Sequence, residues 1–347
     1  MSVLARRIAA QGLASRSATT LDVLRSWTVQ DSPPGAAATA IAARAKTVTL
    51  DEALADRDAV ALYNARTATA ILPSDEAAAF ATALIAPDEG EEARIAVESI
   101  SDALDGRTLS RDDLHEELRG RLPERMLPWC DGCQSHHARR WVLVTAGLHG
   151  RLCIAGRAGR QPEFARTDQW ITWDAPPREE AGAELVRRFR IAYGPSTPAD
   201  FAAWAGIEGP HAKALWELVP EEEESKRKPR RAKGVRLLAA GDPLLLARDR
   251  DALIPDKELR GRVFRPTGSP GVVLRDGALA GLWRARKKGK RLEVEVEELG
   301  SLDLEAVRRE AERIAPLRGC TDVAVGSARS QVEGAGSRCE TGAGPPL

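Results

Sequence analysis

The sequence predicts an α+β fold: tandem winged-helix domains followed by a small C-terminal β-rich, barrel-like domain. Three observations carry this expectation. Apolar residues at helical spacing dominate the first part of the chain, and an order of helix, turn, helix and ribbon recurs there. Beyond the charged run "EEEESKRKPRRAK" the character switches to strands and turns. At 347 residues the chain is too long for one small core, so several compact units are expected. We place a first winged-helix-like unit at 1–85, a second at 86–178, and a third with a basic wing or linker at 179–233. The β-rich domain follows at 234–318, and a disordered tail occupies 319–347.

The elements are justified in order. "LARRIAAQGLA" spaces its apolar residues three and four apart, and "DEAAAFATALI" does the same behind the turn "LPSD", where Ser74 and Asp75 are N-cap candidates. "TLSRDDLHEELRGRLP" sets Ser110 ahead of a carboxylate-rich first turn, with Leu114, Leu118 and Leu122 on one face. "HARRWVLVTAGLHG" reads as a helix leading through Gly147 to a strand at "RLCIA", and a second strand is expected at "DQWITW". A helix ending near Tyr193-Gly194-Pro195 comes next. Thr197-Pro198 opens another helix, Gly206 breaks it, and a third carries Leu215 and Trp216. "GVRLLA", "GVVLRDGALAGLWRAR" and "RLEVEVEEL" read as strands, with Asp276-Gly277 as a hairpin turn. Trp141, Trp170, Trp173, Trp204 and Trp216 sit at core spacings rather than as base-stacking platforms.

Composition narrows the function. No apolar run reaches 18 residues, and "MSVLARRIAAQGLASRS" has no continuous apolar centre. Neither a membrane span nor a signal peptide is therefore expected. Five cysteines, an odd number, point to reduced thiols and a cytoplasmic protein. The net charge of zero hides a segregation. Residues 51–125 hold 18 acidic and 8 basic side chains, whereas residues 226–291 hold 20 basic and 6 acidic. A basic field of that kind gains affinity for phosphates by releasing counterions.

Three stretches are candidates for chemistry. In "TVQD", residues 28–31, Asp31 or Ser32 is placed to cap the following helix, while Thr28, Gln30 and Asp31 together form a polar group that could act on a substrate. "WRARKKGKR" offers Arg284, Arg286, Lys287, Lys288 and Lys290 as phosphate contacts, with "KRKPRRAK" as a second basic segment. "WCDGCQSHH" gives Cys130 and Cys133 the C-x₂-C spacing that grips Zn²⁺, with His136 or His137 as a third ligand and Cys153 as a possible fourth. The other reading of that stretch is a turn with small thiols. Structural zinc is the one cofactor the residues suggest.

"RIAYGPSTPADFAAWAGI", "RLLAAGDPLLLARDR" and "VFRPTGSPGVVLRDGALAGLWRARKKGKRLEV" together resemble the AlkZ/YcaQ-like winged-helix proteins, over about residues 3 to 318. That family is known for DNA glycosylases that excise alkylated purines and unhook interstrand crosslinks. The resemblance implies a monofunctional glycosylase acting in DNA repair, as a monomer on double-stranded DNA, with no cofactor required. The family's Gln-x-Gln or Gln-x-Asp motif falls on Thr28-Val29-Gln30, so the last glutamine matches and the first is replaced by Thr28. Arg66 matches the arginine of a nearby family loop, whose histidine position is occupied by Ala70. A DNA-binding regulator or damage sensor without catalysis is the alternative on the same scaffold.

Overall fold

The computed structural model describes residues 2–132, 134–159, 161–220 and 232–327. Two sheets and the helices between them organise the chain. The first sheet has six strands in the order Val29–Gln30, Thr69–Pro73, Ala59–Tyr63, Cys153–Ala158, Gln161–Ala165 and Leu109–Ser110. Two hairpins from separate parts of the sequence meet in it, joined where Ala61 pairs with Ile154.

The first hairpin, Ala59–Tyr63 with Thr69–Pro73, lies where the sequence reads as helical. Its strands are buried on both faces nearly throughout, so no polar alternation marks them. Its turn is held by Asn64, whose Oδ1 accepts from the backbone N–H of Arg66 and of Ala68, while Thr67 takes a positive φ of 65°. The second hairpin corrects another expectation. The strand after Cys153–Ala158 is Gln161–Ala165, and "DQWITW" instead begins with the short helix Thr167–Trp170. Pro162 weakens the β signal of the true strand, while Trp170 and Trp173 pack against the main core from outside the sheet.

Helices occupy most of the other expected places. Ser74–Leu84 starts one residue earlier than its cap candidates imply: Ser74 is inside it, its hydroxyl donating to the Arg57 carbonyl. Ser110 does cap Arg111–Leu118, and Leu114, Leu118 and Leu122 are buried. Arg178–Tyr193 ends at Gly194. Pro198–Ala205 then opens on a Thr197/Asp200 capping box and stops at Gly206 in the left-handed region, and Gly209–Glu217 follows. Trp204 is buried, and Trp141, Trp170, Trp173 and Trp216 pack against the same core, as their spacing predicts.

The second sheet runs Asp322–Ser327, Arg291–Glu298, Ala278–Lys288, Gly271–Arg275, Val235–Leu238. Asp276 and Gly277 turn its central hairpin with φ of 51° and 81°, the signs a two-residue turn of primed type requires. Among the described residues it is an open sheet, not a closed barrel. Helix Leu304–Ile314 packs against it and leads to Asp322–Ser327, which pairs parallel with Arg291–Glu298. That strand lies inside the expected tail. The "KRKPRRAK" segment through Arg231 and the end of the chain from 328 lie outside the described residues.

Helix Ala36–Arg44 is the hub, and its alanines now have a reason. Ala37, Ala40 and Ile41 face the cluster of Val23, Val29 and Ile71; Ala42 faces Val235 and Leu237; Ala43 faces Ile8 and Leu13. A helix approached closely on several sides has room only for small side chains. Its last residue, Arg44, is buried and forms a two-point ion pair with buried Asp242, at 2.7 and 2.8 Å.

Candidate functional site

The site begins at the N-terminus of this helix. Strand Val29–Gln30 pairs with Thr69–Pro73 in the register Val29 to Ile71 and Gln30 to Ala70. Asp31 continues the ladder through its N–H to the Thr69 carbonyl. Its carboxylate Oδ1 accepts from the N–H groups of Gly35, the N-cap residue (2.8 Å), and Ala37 (3.1 Å), so the Asp31 side chain caps the helix from upstream. A carboxylate committed to two backbone donors in this way is a scaffold for the turn.

Thr28 immediately precedes the strand on which Gln30 lies. Both line a small cavity together with Asn64, Arg66, Ala70 and Phe80. Its free volume of about 10 Å³ is roughly that of a single water. The Gln30 amide is held at both ends. Its Oε1 accepts from Arg66 Nη2 at 3.0 Å, and its Nε2 donates to the Ser32 carbonyl at 3.2 Å. One lone pair of that carbonyl oxygen is left for a further donor.

Arg66 is supported from two sides. The Asn64 turn fixes its backbone, and Gly206 packs on it so closely that a Cβ there would fall 2.3 Å from Arg66 Cγ. Burial first, and then the neighbouring Arg248, pull the Arg66 guanidinium below its usual range. Beneath the turn, Trp27 donates from Nε1 to the Tyr193 hydroxyl, which donates to the Pro243 carbonyl, and Trp204 packs against Trp27 with ring centres 5.1 Å apart. The sequence does not single out Asn64, and it places Trp204 in the core rather than at this site. An Asn three residues before a Thr in "NART" was the only available signal of the turn, and Trp204 joins the site from far along the chain.

The basic strand is split by its own geometry. Arg284, Arg286 and Lys288 alternate with Ala285 and Lys287, so the cluster divides between two faces. Arg284 donates to the Gly268 carbonyl, Arg286 lies 4.0 Å from Glu295, and Lys288 lies 3.8 Å from Glu293. Lys287 turns the other way and donates to the Arg318 carbonyl. Lys290 is exposed beside Gly289, which takes a positive φ in the turn.

The model of the AlkZ-like DNA glycosylase family matches residues 24–317, which includes the turn, the Arg66 loop and the basic strand. The chain belongs to this family. No curated protein sequence matches it significantly. Among solved structures it is similar to Streptomyces sahachiroi DNA glycosylase AlkZ, with a TM-score of 0.70 and 21% identity over 94% of this chain and 98% of that one. At that identity the likeness is one of fold. Membership of a DNA glycosylase family makes DNA the substrate class. Among the described residues no helix is long and apolar enough to cross a membrane.

The zinc expectation falls partly outside the described residues. Cys133 lies outside the described residues, and among the described residues no three His, Cys, Asp or Glu side chains come together as metal ligands. Cys130 sits on the hairpin Trp129–Cys130 with Ser135–His136, and His136 Nδ1 lies 2.9 Å from the Leu127 carbonyl. His137 instead meets His115 of the helix Arg111–Leu118, Nδ1 to Nδ1 at 2.8 Å. Cys153 is buried in its strand, its thiol within 3.6 Å of the Ala165 carbonyl, and burial pushes that thiol up to about 12.

The histidine pair makes a stability prediction. Burial, with His137 and Arg111 beside it and Asp112 opposing them, holds the His115 imidazole down to about 4. The unfolded chain takes up the same proton near pH 6.5. Between those values the unfolded state binds more protons, so stability falls as pH falls. The expected loss is up to about 3 kcal/mol. His115→Gln should flatten that limb in urea unfolding at pH 4.5 to 7; an unchanged limb would place the titration elsewhere.

Proposed function

We propose that the chain is a monofunctional DNA glycosylase that hydrolyses the N-glycosidic bond of alkylated purines in duplex DNA. The observation that carries this reading is the Gln30 amide, pinned by Arg66 and the Ser32 carbonyl at the edge of a cavity of about one water. A purine alkylated at N3 or N7 is positively charged and already a good leaving group. What the protein must supply is a positioned water and an environment that tolerates an oxocarbenium-like sugar. The free lone pair of Gln30 Oε1 orients the water, and the Thr28 hydroxyl is its second contact. Asp31 is a positioning residue, because it sets the helix and turn that aim Gln30.

The helical units are read as winged helices that carry the duplex, with boundaries near residues 85, 178 and 233; in the second of them three helices lead to the hairpin Cys153–Ala158 with Gln161–Ala165. The exposed face of the basic strand, Arg284, Arg286 and Lys288 with Lys290 at its turn, holds phosphate. The protein works as a monomer in the cytoplasm. If so, log affinity should fall with log salt at a slope near −0.9 for each phosphate neutralised. Changing Arg286, Lys288 and Lys290 to alanine should flatten that slope by about two to three units for every sequence alike. An unaltered slope would locate the DNA on another surface.

Thr28 in the first motif position and Ala70 in place of the histidine favour the second reading, a DNA-binding protein that senses damage without cutting. Incubating the purified protein with N7-alkylated duplex DNA and counting abasic sites separates the two. Base release above the spontaneous rate is expected, and its absence across N3- and N7-alkylated duplexes would leave the sensor.

A further inference from the structure

On the face of the second sheet away from helix Leu304–Ile314 lies a cleft with a free volume of about 340 Å³. Val294 and Val296 are buried with that helix, so Glu295 and Glu297 of the same strand point to the opposite face. The register sets Arg284 beside Glu295 and Leu282 beside Glu297. Helix Lys257–Val263 covers this face, since Val263 shares a core cluster with Leu282. Arg262 of that helix and Arg265 just beyond it complete the walls. Their charges are unevenly matched. Arg262 pairs with Glu297, and Arg286, outside the cleft, lies 4.0 Å from Glu295. Among the described residues neither Arg265 nor Arg284 has a carboxylate partner. Four guanidiniums therefore meet two carboxylates, a surplus of two positive charges. One loop fixes the backbone of Arg265 and the side chain of Arg284. The Ser269 hydroxyl accepts from the Arg265 N–H at 3.1 Å and donates to the Arg265 carbonyl at 3.0 Å. Arg284 donates one N–H to the Gly268 carbonyl at 2.9 Å and keeps its other donors.

We infer that this cleft binds a phosphate monoester of nucleotide size: a free nucleoside monophosphate or the 5′-phosphorylated end of a strand. A monoester carries about −1.5 to −2 at pH 7, which matches the surplus, whereas the diester of a continuous backbone carries a single charge. Guanidinium forks fit phosphate oxygens two at a time. The volume is about ten times the ~30 Å³ share of one water in the liquid, so a sugar or base enters with the phosphate. It falls within the range of about 300–1,000 Å³ usual for small-ligand sites. Glu295 and Glu297 add acceptors for a sugar hydroxyl or an exocyclic amino group. None of these residues lines the Gln30 cavity, so the inference stands apart from the glycosylase reading. Arg284 alone is shared with the phosphate-holding face proposed above.

The test titrates the full chain by calorimetry with deoxyadenosine 5′-monophosphate, deoxyadenosine and inorganic phosphate. The monophosphate is expected to bind about tenfold more tightly than either of the others. Arg265→Gln should weaken the monophosphate about tenfold, with a melting temperature within about 3 °C of the parent and an unchanged yield of abasic sites. Hexadeoxyadenylate with and without a 5′-phosphate separates the sources. A tenfold preference for the phosphorylated strand supports the strand end, and equal binding of the two strands beside a selective monophosphate supports the free nucleotide. Monophosphate affinity no better than that of deoxyadenosine or inorganic phosphate, or undiminished in Arg265→Gln, overturns the inference. The proposals fail separately. Base release without monophosphate selectivity removes the cleft and keeps the enzyme, whereas selective binding without base release does the reverse.

Discussion

Gln30→Ala is expected to slow base release from N7-alkylated duplex DNA by about 10²–10³-fold, the usual loss when one well-placed hydrogen-bonding group leaves an active site. The side chain has two protein partners and one lone pair left for a further donor, so its removal takes away the amide held at the water-sized cavity by Arg66 and the Ser32 carbonyl. Two hydrogen bonds are lost as well, worth about 1 kcal/mol for the one to the Ser32 carbonyl and about 1.5–3 kcal/mol for the one from the charged Arg66. A change of that size leaves the population folded at assay temperature, so the rate loss cannot be a folding loss. Duplex affinity should stay close to the parent's, because phosphate contacts on the basic strand are untouched. Thr28→Gln should move the rate upward, since it returns an amide to the first position of the family pair, at a residue that lines the same cavity as Gln30. A modest fall in melting temperature with no base release by either variant or by the parent would reduce the turn to a structural feature.

Much of this arrangement was readable from residue order, and the failures have physical causes. Capping residues spoke clearly: Ser110, Thr197 with Asp200, and Gly206 all act where their identities and positions imply. Asp276-Gly277 made its turn for the same reason, a local conformational preference that does not depend on the rest of the chain. The hairpin over residues 59–73 was hidden because burial on both faces erases the alternation by which a strand is recognised. Gln30 was found by its motif, but its geometry was not. The Arg66 contact depends on an Asn64 turn that nothing local announces and on Gly206 from another part of the chain. The basic run misled in a different way, because a contiguous stretch of sequence is not a contiguous surface on a strand. The contact of His137 with His115, 22 residues earlier, was equally hidden, because no local spacing links the two.

Asp242→Asn is expected to lower the unfolding free energy by about 3–5 kcal/mol, the range seen when one member of a buried ion pair is removed. Arg44 and Asp242 are 2% and 0% exposed, so neither charge has water to fall back on. The guanidinium is otherwise spent on backbone carbonyls, Nε donating to Gln11 and Nη1 to Ala40, and Asp242 Oδ1 also receives the Leu244 N–H. An amide at 242 keeps the shape and one acceptor oxygen but leaves the Arg44 charge uncompensated. The loop that bears Asp242 also braces the site. Gly241 lies against Ser32 so tightly that a Cβ would come within 2.4 Å of the Ser32 carbonyl, the same carbonyl that receives Gln30 Nε2. Loss of the pair therefore loosens the turn as well as the joint between the two sheets. Urea unfolding should show the midpoint displaced with the slope unchanged. Replacing both partners by apolar residues, Arg44→Met with Asp242→Leu, should recover much of the loss, because no buried charge is then left alone. Were Asp242→Asn to cost less than about 1 kcal/mol, the joint would be held by the alanine packing of helix Ala36–Arg44, and the ion pair would serve only to fix its register.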